Sequence, residues 1–305
     1  MARKLLIAYD GSDFADAVLA DLQNAGLGNE VEAIVVTVAE VWLQPASKGR
    51  EDKRNNDRRE SLVTAAALLA TKAKEKLDEQ FPQWKISTSV RFGSPAWEIV
   101  ALADEWKPDL IVVGSQGHGA LNRVLLGSVS QRVLTESRCS VRIARPLNKS
   151  NPQRILIGVD GSKGSEAAIR AVAARSWVKP TEVRLTLFDD PFVPSFVSDI
   201  LPVLGPSTQE QKDEERWASK VLREAKALLD KAELKIVAEA REGSPKSDLP
   251  KLAEQWEAGC IFVGSTGFSS RLERFVLGSV SEAIAVRSSC SVEVVRTTRP
   301  QLLSD

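Results

Sequence analysis

Apolar residues fall in short runs separated by longer amphipathic stretches. The first run, "LLIAYD", closes at Asp10. An amphipathic stretch follows from about Asp13 to Asn24, then "EAIVVTVAE", dense enough in apolar residues for a buried strand. Leu62, Ala66, Leu69, Ala73 and Leu77 recur at helical spacing and predict a long helix. "KISTSVRFG" alternates as a strand does. Ser94 next predicts an N-cap, with Pro95 at the first helical position, where its fixed φ and missing N–H suit the helix start. "DLIVVG" reads as a fourth strand, a helix begins near Ser128, and "SVRIARP" reads as a fifth strand. Short apolar strands alternating with helices predict a parallel sheet covered on both faces. Right-handed crossovers make it doubly wound, with ligands at the carboxyl ends of the strands.

The whole pattern occurs twice. "RKLLIAYDGS" returns as "QRILIGVDGS", "RFGSP" as "REGSP" and "SRCSV" as "SSCSV". Asp10 is repeated at Asp160, Gly114 at Gly264, Gly127 at Gly278 and Cys139 at Cys290, so the second glycine loop carries one extra residue. The expected organisation is two tandem α/β domains, residues 1–147 and 152–305, joined through the polar stretch "PLNKSNPQ".

Bulk composition removes several partners. The 41 basic and 41 acidic residues cancel, so nothing favours nucleic acid or an anionic membrane surface. No apolar run approaches the roughly 18 residues of a membrane span, and the short N-terminal run reads as a strand, not a signal peptide. Cys139, Cys260 and Cys290 show no C-x-x-C spacing and make an odd count, which fits a reduced cytoplasm with the thiols as small buried hydrophobes. The single histidine, His118, excludes a site built on two imidazoles of one chain and reads first as an exposed loop residue. "SKGREDKRNNDRRE" (47–60) reads as a solvated approach to a helix. The apolar "DDPFVPSFVSDILPVLGPS" (189–207) reads as packing against its own chain, with a lid or a partner surface as the alternatives.

Candidate chemistry gathers at "VVGSQGHGALNRVLLGSVS" (112–130) and its near-copy "FVGSTGFSSRLERFVLGSVS" (262–281). Each is a strand, Gly-x-x-Gly, nine or ten residues, then Gly-Ser opening a helix. Asp10 and Gly114 both stand at carboxyl ends of predicted strands. Glycine lets a ligand approach the backbone, and helix N-termini offer unpaired N–H groups and partial positive charge, so a phosphate suits the place. The hydroxyls of Ser128 and Ser130 would add donors. A second reading stands beside this one. Ser128-x-x-Gln131 and Ser279-x-x-Glu282 are capping-box patterns, and the glycines alone would make a tight turn. Asp10 likewise has a plain reading as a helix-entry turn residue. There is no G-x-x-x-x-G-K-S/T, Val113 stands where G-x-S-x-G needs glycine, and the dinucleotide fingerprint follows a first strand, not a fourth.

At these residues the chain resembles the universal stress protein family over nearly its whole length. Gly114, Gly117, nine residues, Gly127 and Ser128 match the glycine pattern of the family's nucleotide-binding members. Gly264, Gly267, ten residues, Gly278 and Ser279 match it with one residue more. The resemblance implies two tandem doubly wound domains, each a five-stranded parallel sheet flanked by helices, of the adenine nucleotide alpha hydrolase-like kind. It implies ATP, or ADP or AMP, as ligand, with Mg2+. Carried over by position, Asp10 and Val38 resemble the adenine- and ribose-side contacts. Val113, Gly114, Gln116 and Gly117 resemble the loop over ribose and phosphates, and Gly127, Ser128, Val129 and Ser130 the phosphate-binding helix start. In the second copy the matches are Asp160, Leu187, Val263, Gly264, Thr266, Gly267, Gly278, Ser279, Val280 and Ser281, with the first site ranked higher. The family dimerises through its last strand, so "SVRIARP" and "SVEVVRT" are expected to pair as an internal pseudo-dimer, leaving further association into a homodimer open. The function expected is an adenine-nucleotide-binding stress or signalling protein in the cytoplasm, without fast catalysis and with no catalytic or metal-ligating side chain singled out. A slow ATPase with magnesium and water near Asp10, and a non-nucleotide scaffold or small-molecule binder, are the alternatives.

Overall fold

The computed structural model describes residues 2–40, 51–117, 126–146, 151–189, 208–266 and 277–297. The chain forms two compact units, Met1–Leu147 and Asn148–Asp305.

In the first unit the strands are β1 (Arg3–Ala8), β2 (Val31–Ala39), β3 (Lys85–Phe92), β4 (Leu110–Gly114) and β5 (Ser140–Ala144). Between them run α1 (Asp13–Leu22), α2 (Glu51–Gln80), α3 (Pro95–Trp106) and α4 (Ser128–Glu136). The strands are all parallel, in the order β3-β2-β1-β4-β5. The chain therefore winds outward from β1 to β3, crosses back past β1, and continues through β4 to β5. The reversal leaves a crevice at the carboxyl ends of β1 and β4, which lie side by side with Ile7 opposite Val112.

Alternation along the strands builds two faces. Leu5, Ile7, Val35 and Val112 meet Leu19 and Leu22 of α1 and Ala73 and Leu77 of α2 in one buried cluster. The helical spacing of Ala73 and Leu77 thus has its physical reason in that core. The opposite face carries α3 and α4, which pack on each other. Ser94 is the N-cap of α3 and Pro95 opens it.

The second unit repeats the design with β6 (Asn151–Val159), α5 (Lys163–Ala173), β7 (Glu182–Asp189), α6 (Thr208–Leu229), β8 (Lys235–Glu242), α7 (Pro245–Gln255), β9 (Ala258–Gly264), α8 (Ser279–Arg287) and β10 (Ser291–Val295). Its strands are parallel in the order β8-β7-β6-β9-β10. Ile155, Ile157, Leu185 and Phe262 pack with Ile169 and Val172 of α5 and Ala225 and Leu229 of α6. Cys260 and Cys290 are buried as small apolar groups, whereas Cys139 is only half-buried.

Candidate functional site

Two turns leave the sheet at the crevice of the first unit. After β1 the chain passes through Asp10, Gly11 and Ser12. Gly11 has φ +79°, a left-handed conformation that side chains resist, and a methyl there would sit 2.7 Å from Leu69 Cδ2. Ser12 caps α1. Its Oγ accepts from the Ala15 N–H at 3.2 Å and donates to Asp10 Oδ1 at 2.6 Å, while its N–H donates to the same oxygen at 3.0 Å. The plain reading of Asp10 as a turn residue is therefore met through Oδ1. Its other oxygen faces the second turn, because a methyl on Gly117 would sit 2.8 Å from Asp10 Oδ2.

That second turn runs from β4 through Gly114, Ser115, Gln116 and Gly117, and is described again from Leu126. A methyl at Gly114 would lie 3.1 Å from Phe14 O, so this glycine lets the strand end pack on the first turn of α1. Its first duty is helix–strand packing. Gly127 N–H donates to Ser115 O at 2.8 Å and folds the loop back on itself.

The capping-box reading of Ser128 does not hold. Gly127 is the N-cap residue, Ser128 is the first helical residue, and no side chain caps α4. The N-cap of α8 is likewise Gly278, without a side-chain cap. By contrast, α1 and α5 are both capped by serine hydroxyls, Ser12 and Ser162. The helix starts that follow the glycine loops thus have no side-chain cap, a lack they share with α3 and α7. Ser130 does not aim a hydroxyl proton at the crevice, because its Oγ donates to Gly114 O at 2.5 Å and ties loop to helix.

These pieces surround one cavity of about 750 Å³. Asp10, Val38, Val113, Gly114, Gln116, Gly117, Gly127, Ser128, Val129 and Ser130, the ten positions singled out in the first copy, all line it. The wall also takes in Leu62, Ala65, Ala66 and Leu69 of α2, which the sequence reading took for core or passed over. Helical spacing alone does not separate a core stripe from a cleft wall, and here one stripe does both. One side of the cavity is therefore apolar, formed by α2 and β2. The other presents backbone at the start of α4.

Beside the cavity, Tyr9 Oη donates to Asp16 Oδ1 at 2.7 Å, and Lys76 Nζ donates to the same oxygen at 2.8 Å. Burial, the bond to Asp16 and the charges of Asp16 and Asp10 hold the Tyr9 phenol far above its ordinary range. It stays protonated and serves as a donor, not as a base. Burial pushes the Asp16 carboxyl up, but the bonds from Lys76 and Tyr9 outweigh it and leave the group below its usual value. Among the described residues no three His, Cys, Asp or Glu side chains cluster as metal ligands would.

The second unit repeats the turns. Gly161 has φ +75°, Ser162 N–H donates to Asp160 Oδ1 at 3.0 Å, Gly278 N–H donates to Ser265 O at 2.7 Å, and Ser281 Oγ donates to Gly264 O at 2.6 Å. Val263 is buried at the end of β9, Thr266 and Val280 are half-buried and Ser279 is exposed. Gly267 and His118 lie outside the described residues, as do 190–207.

One assignment shifts by a residue. Val38 pairs with Arg91 in the first sheet, and the residue paired with Arg241 in the second is Phe188. Leu187 therefore corresponds to Thr37, and its side chain is buried at 2% exposure. A shift of one along a strand moves a side chain to the other face, so Phe188 and not Leu187 stands where Val38 does.

Comparison with known proteins bears on the same two units. The model of the universal stress protein family matches residues 1–145 and again 151–296. A universal stress protein of Methanocaldococcus jannaschii is 32% identical over 147 residues, 48% of this chain and 84% of that protein. The crystal structure of a universal stress protein from Archaeoglobus fulgidus aligns over 96% of this chain and 96% of its own, at 22% identity and a TM-score of 0.61, which speaks for the fold. A universal stress protein solved in complex with cAMP aligns over 46% of this chain and 94% of its own, with 26% identity and a TM-score of 0.32.

Proposed function

The chain belongs to the universal stress protein family, and we propose that its first unit binds an adenine nucleotide, ATP ahead of ADP or AMP, in a stress-response or signalling role without fast catalysis. The observation that carries this reading is the division of the cavity. An apolar side from α2 and β2 suits a planar base, and a helix start without a side-chain cap suits a phosphate. Gly117 and Gly127 keep side chains off the loop between the two ends, where the backbone has to come near the ligand.

Magnesium fits as a companion of the phosphates. It is commonly held by one or two carboxylates together with phosphate oxygens and water, and Asp10, beside the glycine loop, is a carboxylate on the cavity wall, as is Glu40. Hydrolysis has less support. Tyr9 is locked as a hydrogen-bond donor, and Asp10 is braced by Ser12 as a turn residue, so neither is arranged as a general base.

Mass spectrometry of small molecules released by denaturing the purified protein, with calorimetric titration of ATP and Mg2+, tests the reading. An adenine nucleotide in the released fraction, or saturable heat with ATP, is expected. Neither, with ADP and AMP equally silent, overturns it. Pairing of the two copies through their last strands is proposed on the edge-strand argument. Cross-linking that joins β5 to β10 within one chain is expected, and its absence counts against the pseudo-dimer.

A further inference from the structure

We propose that the second unit is closed to this nucleotide, and that Trp217 and Phe188 close it, so that the chain takes one nucleotide and takes it in the first unit. This rests on the reading above. It follows from placing the two units residue by residue on each other.

The helices α2 and α6 align through their cores. Ala73 and Leu77 are buried at 0% exposure, and Ala225 and Leu229 at 3% and 0%. One turn earlier, Leu69 and Val221 pack against those cores and lie over the glycine turns. A methyl on Gly11 would meet Leu69 Cδ2 at 2.7 Å, and one on Gly161 would meet Val221 Cγ2 at 3.2 Å. Four residues before Leu69 is Ala65, an exposed residue at the lip of the first cavity. Four residues before Val221 is Trp217. Its ring reaches the turn after β6, with Cζ2 3.4 Å from where a Gly161 methyl would be, and it remains 44% exposed. Where the first unit has the methyl of Ala65 at its lip, the second thus has an indole packed against the turn after β6. Phe188 stands where Val38 lines the first cavity. The apolar end that would take the base is narrowed from both α6 and β7.

The strand end after β9 also packs more closely on its helix. Phe14 of the first unit is replaced by Gly164. A methyl at Gly114 would sit 3.1 Å from Phe14 O, whereas at Gly264 it would sit 2.7 Å from Gly164 O. At the helix start the two units are alike: a methyl on Gly127 would sit 3.3 Å from Gln116 Cα and 3.5 Å from Ser115 O, and one on Gly278 3.7 Å from Thr266 Cα and 3.1 Å from Ser265 O. Ser162 Oγ donates to Thr266 O at 3.4 Å, whereas its counterpart Ser12 bonds to Asp10. The second loop is thus drawn onto the first turn of α5. The two units keep the same glycines, and the aromatic side chains decide between them.

Calorimetric titration of the whole chain with ATP and Mg2+ tests this, with the number of sites as the readout. One site per chain is expected. Gly117→Val should abolish it, since Gly117 lines the cavity of the first unit. Trp217→Ala with Phe188→Val should raise the number towards two, and Trp217→Ala alone, at a half-exposed position, should add a weaker second event. Thermal melts confirm that each variant folds. Two sites in the unaltered chain, or binding that survives Gly117→Val, overturn the proposal while leaving nucleotide binding intact. A single site in both aromatic variants, with melts unchanged, overturns the role of the two rings. No binding in any variant overturns the underlying nucleotide reading and this proposal with it.

Discussion

At the scale of single residues, the glycines of the loop between β4 and α4 have three different reasons to be glycine. Gly114 packs a strand end on a helix, Gly117 makes room for the Asp10 carboxylate, and Gly127 is an N-cap with φ −66°, a conformation open to any residue. Backbone strain therefore plays no part at Gly127. Gly127→Val acts sterically, since its first side-chain carbon would already lie 3.3 Å from Gln116 Cα. The branched side chain should push the loop that lines the cavity and lower ATP affinity at least about tenfold, roughly 1.4 kcal/mol, with the melt close to that of the unaltered protein. Calorimetry beside a thermal scan checks this, and equal affinity with an equal melt would reduce the loop to a turn. Ser128→Ala should cost little stability, because Ser128 is exposed and follows the cap. The sequence made the positions of these residues readable, since repetition marked them. It did not make their duties readable, because a glycine letter does not say what its missing side chain would hit. The Leu187 assignment failed for a related reason: "RLTLFDD" offers apolar residues in both phases, and only the pairing of β7 with β8 selects the face.

Between elements, the repeat hides an inversion. In the first unit Arg142 of β5 bonds Asp21 of α1, through Nε at 2.5 Å and Nη2 at 2.9 Å, with both side chains 1% exposed. In the second unit the strand carries the acid. Glu293 of β10 meets Arg175 just beyond α5, again buried, and Arg175 lies 5.0 Å from the centre of the Phe262 ring. "SVRIARP" and "SVEVVRT" were legible as strands, but the partner of each charge was not, being more than a hundred residues away. Arg142→Met would leave Asp21 buried without this partner and should cost about 3–5 kcal/mol. Asp21→Leu with Arg142→Met should recover a large part of that loss in denaturant unfolding, because a buried pair can often be exchanged for apolar packing. A double variant as unstable as the single would refute this. Asp16 of α1 is bonded by Tyr9, the residue after β1, and by Lys76 of α2, and titrates lower in the folded chain than in the unfolded one. Its stabilisation is complete above the ordinary carboxylate value of 3.8 and is lost as pH falls through the lower folded value. Asp16→Asn should therefore flatten the acid limb of the stability profile and leave the slope near pH 7 unchanged.

For the molecule as a whole, two compact units with separate cores mean that a ligand of one unit need not stabilise the other. The family model matches each unit separately, and each has its own buried cluster on one face of its sheet. The tandem architecture was readable because a repeat of about 150 residues is a strong internal signal. The difference between the units was not readable, because the glycines and serines that mark the loops recur while the residues that narrow the second cleft lie on other elements. Thermal unfolding followed by calorimetry should show two components, since chains of two units commonly depart from a single two-state transition. ATP with Mg2+ at about 100 times its dissociation constant should stabilise the binding unit by about 2.7 kcal/mol. For a unit of this size that corresponds to an upward shift of about 5–10 °C. The shift should fall on one component only and should vanish in Gly117→Val, which identifies that component as the first unit. With Trp217→Ala and Phe188→Val combined, the second component should begin to respond to the same ligand. Equal shifts of both components in the unaltered chain would show instead that the two units bind alike.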